Sequence, residues 1–133
     1  MAIYSERRED NGLMDSETII KLVIEALHEK KAQDVKAIDI SELTTIAEYF
    51  IVCSGTSTTH IKTLADHVED KLGERNARCL RREGYNSARW ILMDYGDIVV
   101  HIFLEEDREF YGLERLWQDG RPVPLDEIQE AKA

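Results

Sequence analysis

The segment that most constrains the fold of this chain is Arg89–Leu104, with the sequence RWILMDYGDIVVHIFL. Two short apolar runs, rich in Val, Ile and aromatic residues, flank a turn that contains Gly96, and this pattern predicts a β-hairpin. Because glycine suits the first position of a type II′ turn, we expect a two-residue loop at Gly96 and Asp97. The resulting register pairs Tyr95 with Ile98, Met93 with Val100 and Ile91 with Ile102.

Directly paired residues share a face of a sheet, so this register gives the hairpin two distinct faces. One face is apolar apart from one phenol and is expected to lie in the core; it carries Ile91, Met93, Tyr95, Ile98, Val100 and Ile102. The other, which we call the mixed face, carries Trp90, Leu92, Asp94, Val99, His101 and Phe103. Burying an unpaired carboxylate or imidazole is costly, whereas an exposed face seldom keeps several large apolar groups. Two interpretations stay open: a docking surface for a partner, or a second core face with its polar groups satisfied at the edge.

Helical patterns occur before and after the segments that predict strands. One apolar stripe predicts a helix over residues 16–32, and a second predicts a helix that begins at Ser57 or Thr58 and ends at Gly73. A third helix is expected to open at Glu105, where acidic residues suit the positive end of the helix dipole. The apolar stripe of this third helix comprises Phe110, Leu113, Leu116 and Trp117.

Strands are predicted over residues 35–40 and 77–82, and the continuous apolar run over 49–53 is typical of a central strand. With the hairpin, this order predicts an α/β (α+β) fold, in which a mixed β-sheet of about five strands is flanked by helices. We expect a flexible N-terminal arm over 1–15, a single domain over 16–118 and a C-terminal tail over 119–133.

The composition limits the classes of function. The chain has 133 residues, enough for one domain, and a net charge of −10, whereas a nucleic-acid surface is expected to be basic. The basic cluster Arg75, Arg78, Arg81 and Arg82 is better explained as a solvated loop and strand edge than as an RNA site. Two cysteines without a CxxC motif fit a reducing compartment, and no apolar run reaches ~18 residues. We therefore expect a cytoplasmic protein with no membrane span and no direct nucleic-acid site.

Three sets of polar residues suggest catalysis, but each is incomplete. The turn Ser54-Gly55-Thr56-Ser57 precedes a helix and could cradle a phosphate, yet it lacks a Walker lysine and a GxGxxG motif. Asp94 and Asp97 could hold a metal, yet they straddle the predicted turn and do not share a strand face. His101 could act as a general base, but no Ser or Cys nucleophile is paired with it.

The sequence thus predicts no catalytic, cofactor-binding or metal site. The alternative is a metal-dependent nucleotidyltransferase-type enzyme that uses the Ser54-Gly55 turn with Asp94 and Asp97. A third hypothesis is an RNA-binding protein that uses the arginines of residues 75–82.

A set of motifs, taken in order, resembles one protein family. The motifs are Asp39-x-Ser41, Tyr49–Val52, Ser54–Ser57, Ala65–His67, Glu83-Gly84, Trp90–Phe103 and Arg108-x-Phe110-Tyr111-x-Leu113-Glu114-x-Leu116-Trp117. Together they resemble the ribosomal silencing factor family, also called Iojap-like, and the resemblance covers roughly residues 16–118. The combination of the hairpin with the motif that begins at Arg108 carries most of the resemblance.

The resemblance implies a nucleotidyltransferase-like fold without a working active site and without a cofactor. It implies binding to the large ribosomal subunit through ribosomal protein fourteen of that subunit, which blocks joining of the small subunit and represses translation under nutrient limitation. Carried onto this chain, the partner-binding residues are Trp90, Asp94, Tyr95, Asp97 and His101. An exposed apolar sheet face could also pair with a second copy, so a homodimer is plausible when the protein is free.

Overall fold

The computed structural model describes residues 15–108 and 119–125. Within these residues, helix α1 spans Ser16–Glu29 and helix α2 spans Thr58–Gly73. The strands are β1 (Gln33–Asp39), β2 (Tyr49–Gly55), β3 (Arg81–Glu83), β4 (Trp90–Asp94), β5 (Ile98–Leu104) and β6 (Arg121–Pro122). A 3₁₀ turn, Glu105–Asp107, follows β5. Neither α1 nor α2 is long and apolar enough to cross a membrane.

All six strands belong to one mixed sheet, in the order β3-β4-β5-β2-β1-β6. Strands β2 and β5 are parallel, and every other neighbouring pair is antiparallel. Helix α2 leads the chain from β2 to the outer strand β3, and the β4–β5 hairpin returns it to the centre of the sheet. The structure therefore confirms the predicted α/β (α+β) fold with a mixed sheet and flanking helices, and it adds a sixth strand.

The two helices begin at caps that the sequence predicts, and they form the main core. The carboxylate of Asp15 accepts a hydrogen bond from the backbone N–H of Thr18 at 2.9 Å, and the hydroxyl of Ser57 accepts one from His60 N at 3.0 Å. The apolar stripes of α1 and α2 pack on the same face of the sheet. Large buried members of this core are Ile24, Leu27, Ile61, Leu64, Ile91 and Met93.

The hairpin has the predicted register. Gly96 adopts a φ of +91°, and Tyr95 N donates to Ile98 O at 2.9 Å across the turn. Met93 faces Val100 and Ile91 faces Ile102, and all six side chains of the predicted core face are buried. The apolar alternation was therefore a sufficient guide to which face packs against the helices.

Several element boundaries differ from the prediction. Helix α1 ends at Glu29 rather than near residue 32, because Lys31 has a positive φ of 65° that a continuing helix does not allow. Strand β3 is only Arg81–Glu83 rather than 77–82, because these three residues alone pair with β4. Of the predicted third helix, the structure shows the 3₁₀ turn at its start; residues 109–118 lie outside the described residues.

A two-residue strand closes one side of the sheet. Arg121 and Pro122, which the sequence analysis assigns to the C-terminal tail, pair with Asp39 and Ile38 of β1. Val123 N then donates to Ala37 O at 2.9 Å. An outer strand tolerates a proline because it needs N–H groups on one side only. Part of the predicted tail therefore belongs to the sheet.

Candidate partner-binding face

The mixed face lies on the side of the sheet opposite α1 and α2. There a second, smaller apolar cluster forms from the buried residues Ile38, Ile40, Ala47, Val52, Val99 and Phe103. Trp90, Leu92 and Phe50 pack against it and are only partly buried. The mixed face is therefore core at its centre and accessible at the side chains of Trp90, Leu92 and Asp94. The interpretation as a second core face therefore holds for its centre, and the docking interpretation stays a prediction.

Trp90 is held in one orientation by its neighbours on the mixed face. Its ring stacks on Phe103, with centroids 5.1 Å apart and an interplanar angle of 29°. Its indole Nε1 donates a hydrogen bond to Nδ1 of His101 at 3.0 Å. These contacts fix the position of a large, half-buried aromatic side chain, which is the kind of residue that anchors many protein interfaces.

His101 is the most deeply buried polar group of the mixed face, with 3% of its surface exposed. Burial lowers the pKa of its imidazole to about 4, so the ring is neutral at neutral pH. The Phe50 ring packs edge-on against it, with centroids 4.5 Å apart. Its second nitrogen, Nε2, is buried and has no hydrogen-bond partner among the described residues.

A groove of about 230 Å³ opens on this side of the sheet next to His101. Its lining residues are Ile46, Phe50, Leu80, Arg81, Leu92, Asp94, Gly96, Val99 and His101. Two apolar residues at the groove are unusually accessible, since Ile46 is 80% exposed and Leu80 is 42% exposed. The groove thus combines an apolar lining with a carboxylate, a guanidinium and an imidazole, which is a common composition for a recognition site.

The two aspartates of the hairpin turn have different roles. The carboxylate of Asp94 lines the groove and accepts a hydrogen bond from Gly96 N at 2.8 Å, which stabilises the turn. The backbone carbonyl of Asp97 accepts from Glu48 N at 2.8 Å and from Tyr49 N at 3.0 Å. The backbone of Asp97 therefore joins the turn to the segment that enters β2, and Asp97 is not among the residues that line the groove.

Tyr95 does not share this surface with the other predicted residues. Its side chain points to the helix-covered side of the sheet, where it is 9% exposed and belongs to the main core. Burial raises the pKa of its phenol far above the usual range. The structure thus brings Trp90, Asp94 and His101 together and places Tyr95 behind them. A direct partner contact by Tyr95 would require its side chain to leave the core.

The turn after β2 uses its own polar groups internally. Thr56 N donates to Nδ1 of His60 at 2.9 Å, and the Nε2 of that ring bonds the carbonyl oxygen of Lys30 at 2.8 Å. The Ser57 hydroxyl accepts a hydrogen bond from His60 N. The backbone N–H groups of Thr56 and His60 are therefore both bonded to side chains of the protein itself. Gly55 is required by packing, because a Cβ there would lie 2.6 Å from Cγ2 of Ile61. This turn is a helix cap and a close packing point between β2 and α2.

The residues of the alternative enzymatic site are far apart. Ser54 pairs with Phe103, whereas Tyr49 pairs with Ile98, directly after Asp97. Five residues along the strand separate these two levels, a distance of about 17 Å. No group of three His, Cys, Asp or Glu side chains able to hold a metal occurs within residues 15–108 and 119–125. The geometry therefore gives no support to a nucleotidyltransferase site built from Ser54, Asp94 and Asp97.

The cysteines have no visible catalytic role. Cys53 is fully buried in the main core, where burial raises the pKa of its thiol to about 12, so it stays protonated at neutral pH. Cys79 is partly buried, and burial also raises the pKa of its thiol. Both cysteines are free.

Part of the arginine cluster is committed to the fold. Arg82 bonds the carboxylates of Asp66 and Glu69 on α2, at 3.1 and 3.0 Å, and stacks over the ring of Tyr85. Arg81 forms an ion pair with Glu83 at 3.0 Å. Because acidic partners neutralise these two guanidinium groups, the cluster does not form the open basic stripe that RNA binding requires.

Ile46 and Leu80 border the groove but were not among the residues predicted to bind a partner. Ile46 lies in the connection between β1 and β2, and Leu80 precedes β3, so neither shows a regular apolar period. In the sequence, Ile46 is a large apolar residue in a mostly polar connection, and Leu80 lies within the strand predicted over 77–82. Only the fold shows that they lie beside Asp94 and His101.

Comparisons with known proteins point to one family. The model of the family described as "Ribosomal silencing factor during starvation" matches residues 14–133. Ribosomal silencing factor RsfS of Bacillus subtilis is 35% identical over 113 residues, which are 85% of this chain and 96% of that protein. The mouse protein named "Mitochondrial assembly of ribosomal large subunit protein 1" is 30% identical over 74% of this chain and 44% of its own length.

A solved structure supports the fold independently. The crystal structure of a Chromobacterium violaceum protein superposes with a TM-score of 0.77 at 39% identity, covering 84% of this chain and 91% of that one. The family match over residues 14–133 includes the hairpin with its mixed face. This chain therefore belongs to the ribosomal silencing factor family.

Proposed function

We propose that this chain silences ribosomes by binding rather than by catalysis. In this proposal the mixed face binds the large ribosomal subunit in the cytoplasm, through ribosomal protein fourteen of that subunit. The bound protein blocks joining of the small subunit and thereby represses translation when nutrients are limiting. The observation that carries the proposal is the half-buried Trp90 beside a groove with accessible apolar residues.

Three features support a binding role for this face. An aromatic anchor held by stacking loses little conformational entropy on binding, because its side chain is already ordered. The exposed Ile46 and Leu80 offer apolar area that a partner would remove from water. The net charge of −10 favours encounter with a basic partner.

The proposal is tested by sedimentation of large and small subunits on sucrose gradients, with and without the protein. We expect the protein to travel with large subunits and to reduce the fraction of joined ribosomes. Trp90→Ala should weaken binding by more than ~1 kcal/mol, because it removes an aromatic anchor. The matched control is Thr63→Ala, a change on the exposed side of α2, which should sediment like the original chain.

The fold of each variant is checked by circular dichroism and thermal unfolding. If folded Trp90→Ala still travels with large subunits as the original chain does, the mixed face is not the binding surface. If the original chain leaves the fraction of joined ribosomes unchanged, the silencing proposal itself is wrong.

We also propose that the free protein forms a homodimer through the same face. Analytical ultracentrifugation of the isolated protein tests this directly. A dimer that dissociates when protein fourteen is added would show that self-association and ribosome binding compete. A monomer at all concentrations would contradict the homodimer and leave ribosome binding unaffected.

A further inference from the structure

His101 exists in one defined tautomer. An indole N–H can only donate, so Nδ1 of His101 must accept the 3.0 Å hydrogen bond from Nε1 of Trp90. An accepting nitrogen carries no proton, and the deeply buried ring is neutral. The single proton of the imidazole therefore lies on Nε2. Trp90 thus makes the other nitrogen of His101 a hydrogen-bond donor.

This donor has no acceptor in the described part of the fold. Nε2 is buried and unpaired, and the His101 ring lines the groove beside the apolar side chains of Phe50, Leu92 and Val99. A buried N–H without an acceptor costs free energy, and native proteins rarely keep one unless it has a role. A docked partner that supplies an acceptor would remove this cost, and a partner without one would leave it in place.

The chemistry of the groove selects the kind of acceptor. A carboxylate would have to be desolvated next to Asp94, and the Arg81 guanidinium at the groove is already paired with Glu83 at 3.0 Å, so both burial and repulsion oppose it. A main-chain carbonyl is neutral and suits a neutral imidazole N–H. The accessible Ile46 and Leu80 then provide contacts for an apolar side chain close to that carbonyl.

We propose that His101 is a specificity-determining residue whose Nε2–H, fixed by the Trp90 indole, donates a hydrogen bond to a main-chain carbonyl of the partner protein docked in the groove. The inference rests on the proposed function, because it takes the partner to be ribosomal protein fourteen. It adds the chemistry of recognition: a neutral acceptor on a segment that also presents an apolar side chain.

The direct test is nitrogen-15 NMR of the full chain, which distinguishes the two imidazole tautomers by their ring couplings. The free protein should show His101 protonated at Nε2 at pH 7. On addition of purified ribosomal protein fourteen, the Nε2 proton should shift downfield and exchange more slowly with water. A tautomer protonated at Nδ1, or an Nε2 proton unchanged at saturation with the partner, would overturn the inference.

Two variants test the same inference through affinity. His101→Leu removes the donor and should weaken binding to protein fourteen about tenfold, the effect of one lost interfacial hydrogen bond. Trp90→Phe keeps a ring on Phe103 but removes the N–H that fixes the tautomer. Its free-state spectrum should therefore show a population protonated at Nδ1, which a merely structural role of Trp90 does not predict. Thr63→Ala serves again as the control.

The results separate the two proposals. If the original chain binds neither protein fourteen nor large subunits, the proposed function fails and the inference fails with it. If the original chain binds, but folded His101→Leu binds equally well, only the role of His101 is wrong. Should His101→Leu not fold, the NMR result on the original chain decides the inference.

Discussion

The two nitrogens of His101 connect the stability of the fold to its recognition surface. Nδ1 is paired with Trp90 inside the mixed face, and Nε2 is buried and unpaired within the described residues, in a ring that lines the groove. The fold can therefore accommodate the neutral ring but not the charged one, because protonation of Nδ1 would break the bond to the indole. One side chain consequently makes both stability and binding sensitive to acid.

Acid should destabilise this protein through His101. Its pKa is about 4 in the fold against 6.5 as the ordinary value, so between these values the unfolded chain binds a proton that the folded chain does not. Stability therefore decreases as the pH falls from about 6.5 to about 4, by about 3 kcal/mol in total. Urea unfolding at a series of pH values measures this loss.

His101→Leu provides the comparison for the acid series. Asp94 and Arg81, the other charged groups at the groove, are unchanged in this variant, so their contributions cancel. The variant should lose less stability over the same pH range. Parallel pH profiles for the two proteins would show that the acid sensitivity has another source.

At the scale of elements, the contact between β2 and α2 depends on a missing side chain. Gly55 lies where β2 meets the first turn of the helix, and Ile61, Leu64 and His60 surround the position that a Cβ would take. Because this packing is tight, the cap of α2 lies directly at the end of β2, as does the hydrogen bond between the His60 ring and the Lys30 carbonyl oxygen. The Gly-Ser turn that suggested phosphate binding is thus explained by packing.

Gly55→Ala should destabilise the fold by about 1–3 kcal/mol, because its methyl group would overpack a buried contact. The matched control is Gly73→Ala at the end of the same helix, where a Cβ meets nothing within 4 Å. That change should be neutral or should stabilise by up to about 1 kcal/mol. Denaturant unfolding of both variants checks the pair, and equal effects would contradict the packing explanation.

At the scale of the whole molecule, charge is expected to control the rate of encounter. The net charge of −10 is spread over the chain rather than confined to the groove, so its influence on a basic partner acts at long range. Raising the salt concentration from about 50 to 500 mM should lower the association rate about tenfold and leave the dissociation rate almost unchanged. Biolayer interferometry with protein fourteen separates the two rates, and an association rate independent of salt would contradict this.

The parts of the fold that local pattern determines were predictable from sequence. The hairpin register follows from alternation around Gly96, and both helices follow from their stripes and caps. Strand β6 was not predictable, because Pro122 and its neighbours resemble a chain end and the pairing partner lies more than 80 residues away. In the candidate site, the alternation of side chains along the hairpin strands was enough to predict that Trp90, Asp94 and His101 lie on one face. Ile46 and Leu80 lie outside the hairpin in the sequence, and only the tertiary fold brings them to the groove beside Asp94 and His101.

The outer strands β3 and β6 restrict how copies of this protein can assemble. They are three and two residues long, and they carry the charged residues Arg81, Arg82 and Arg121 together with Pro122. Short, charged or proline-containing outer strands offer little backbone for another chain to extend the sheet. We therefore expect concentrated protein to resist fibril formation, and any self-association to proceed through faces rather than through continuous intermolecular β-sheet.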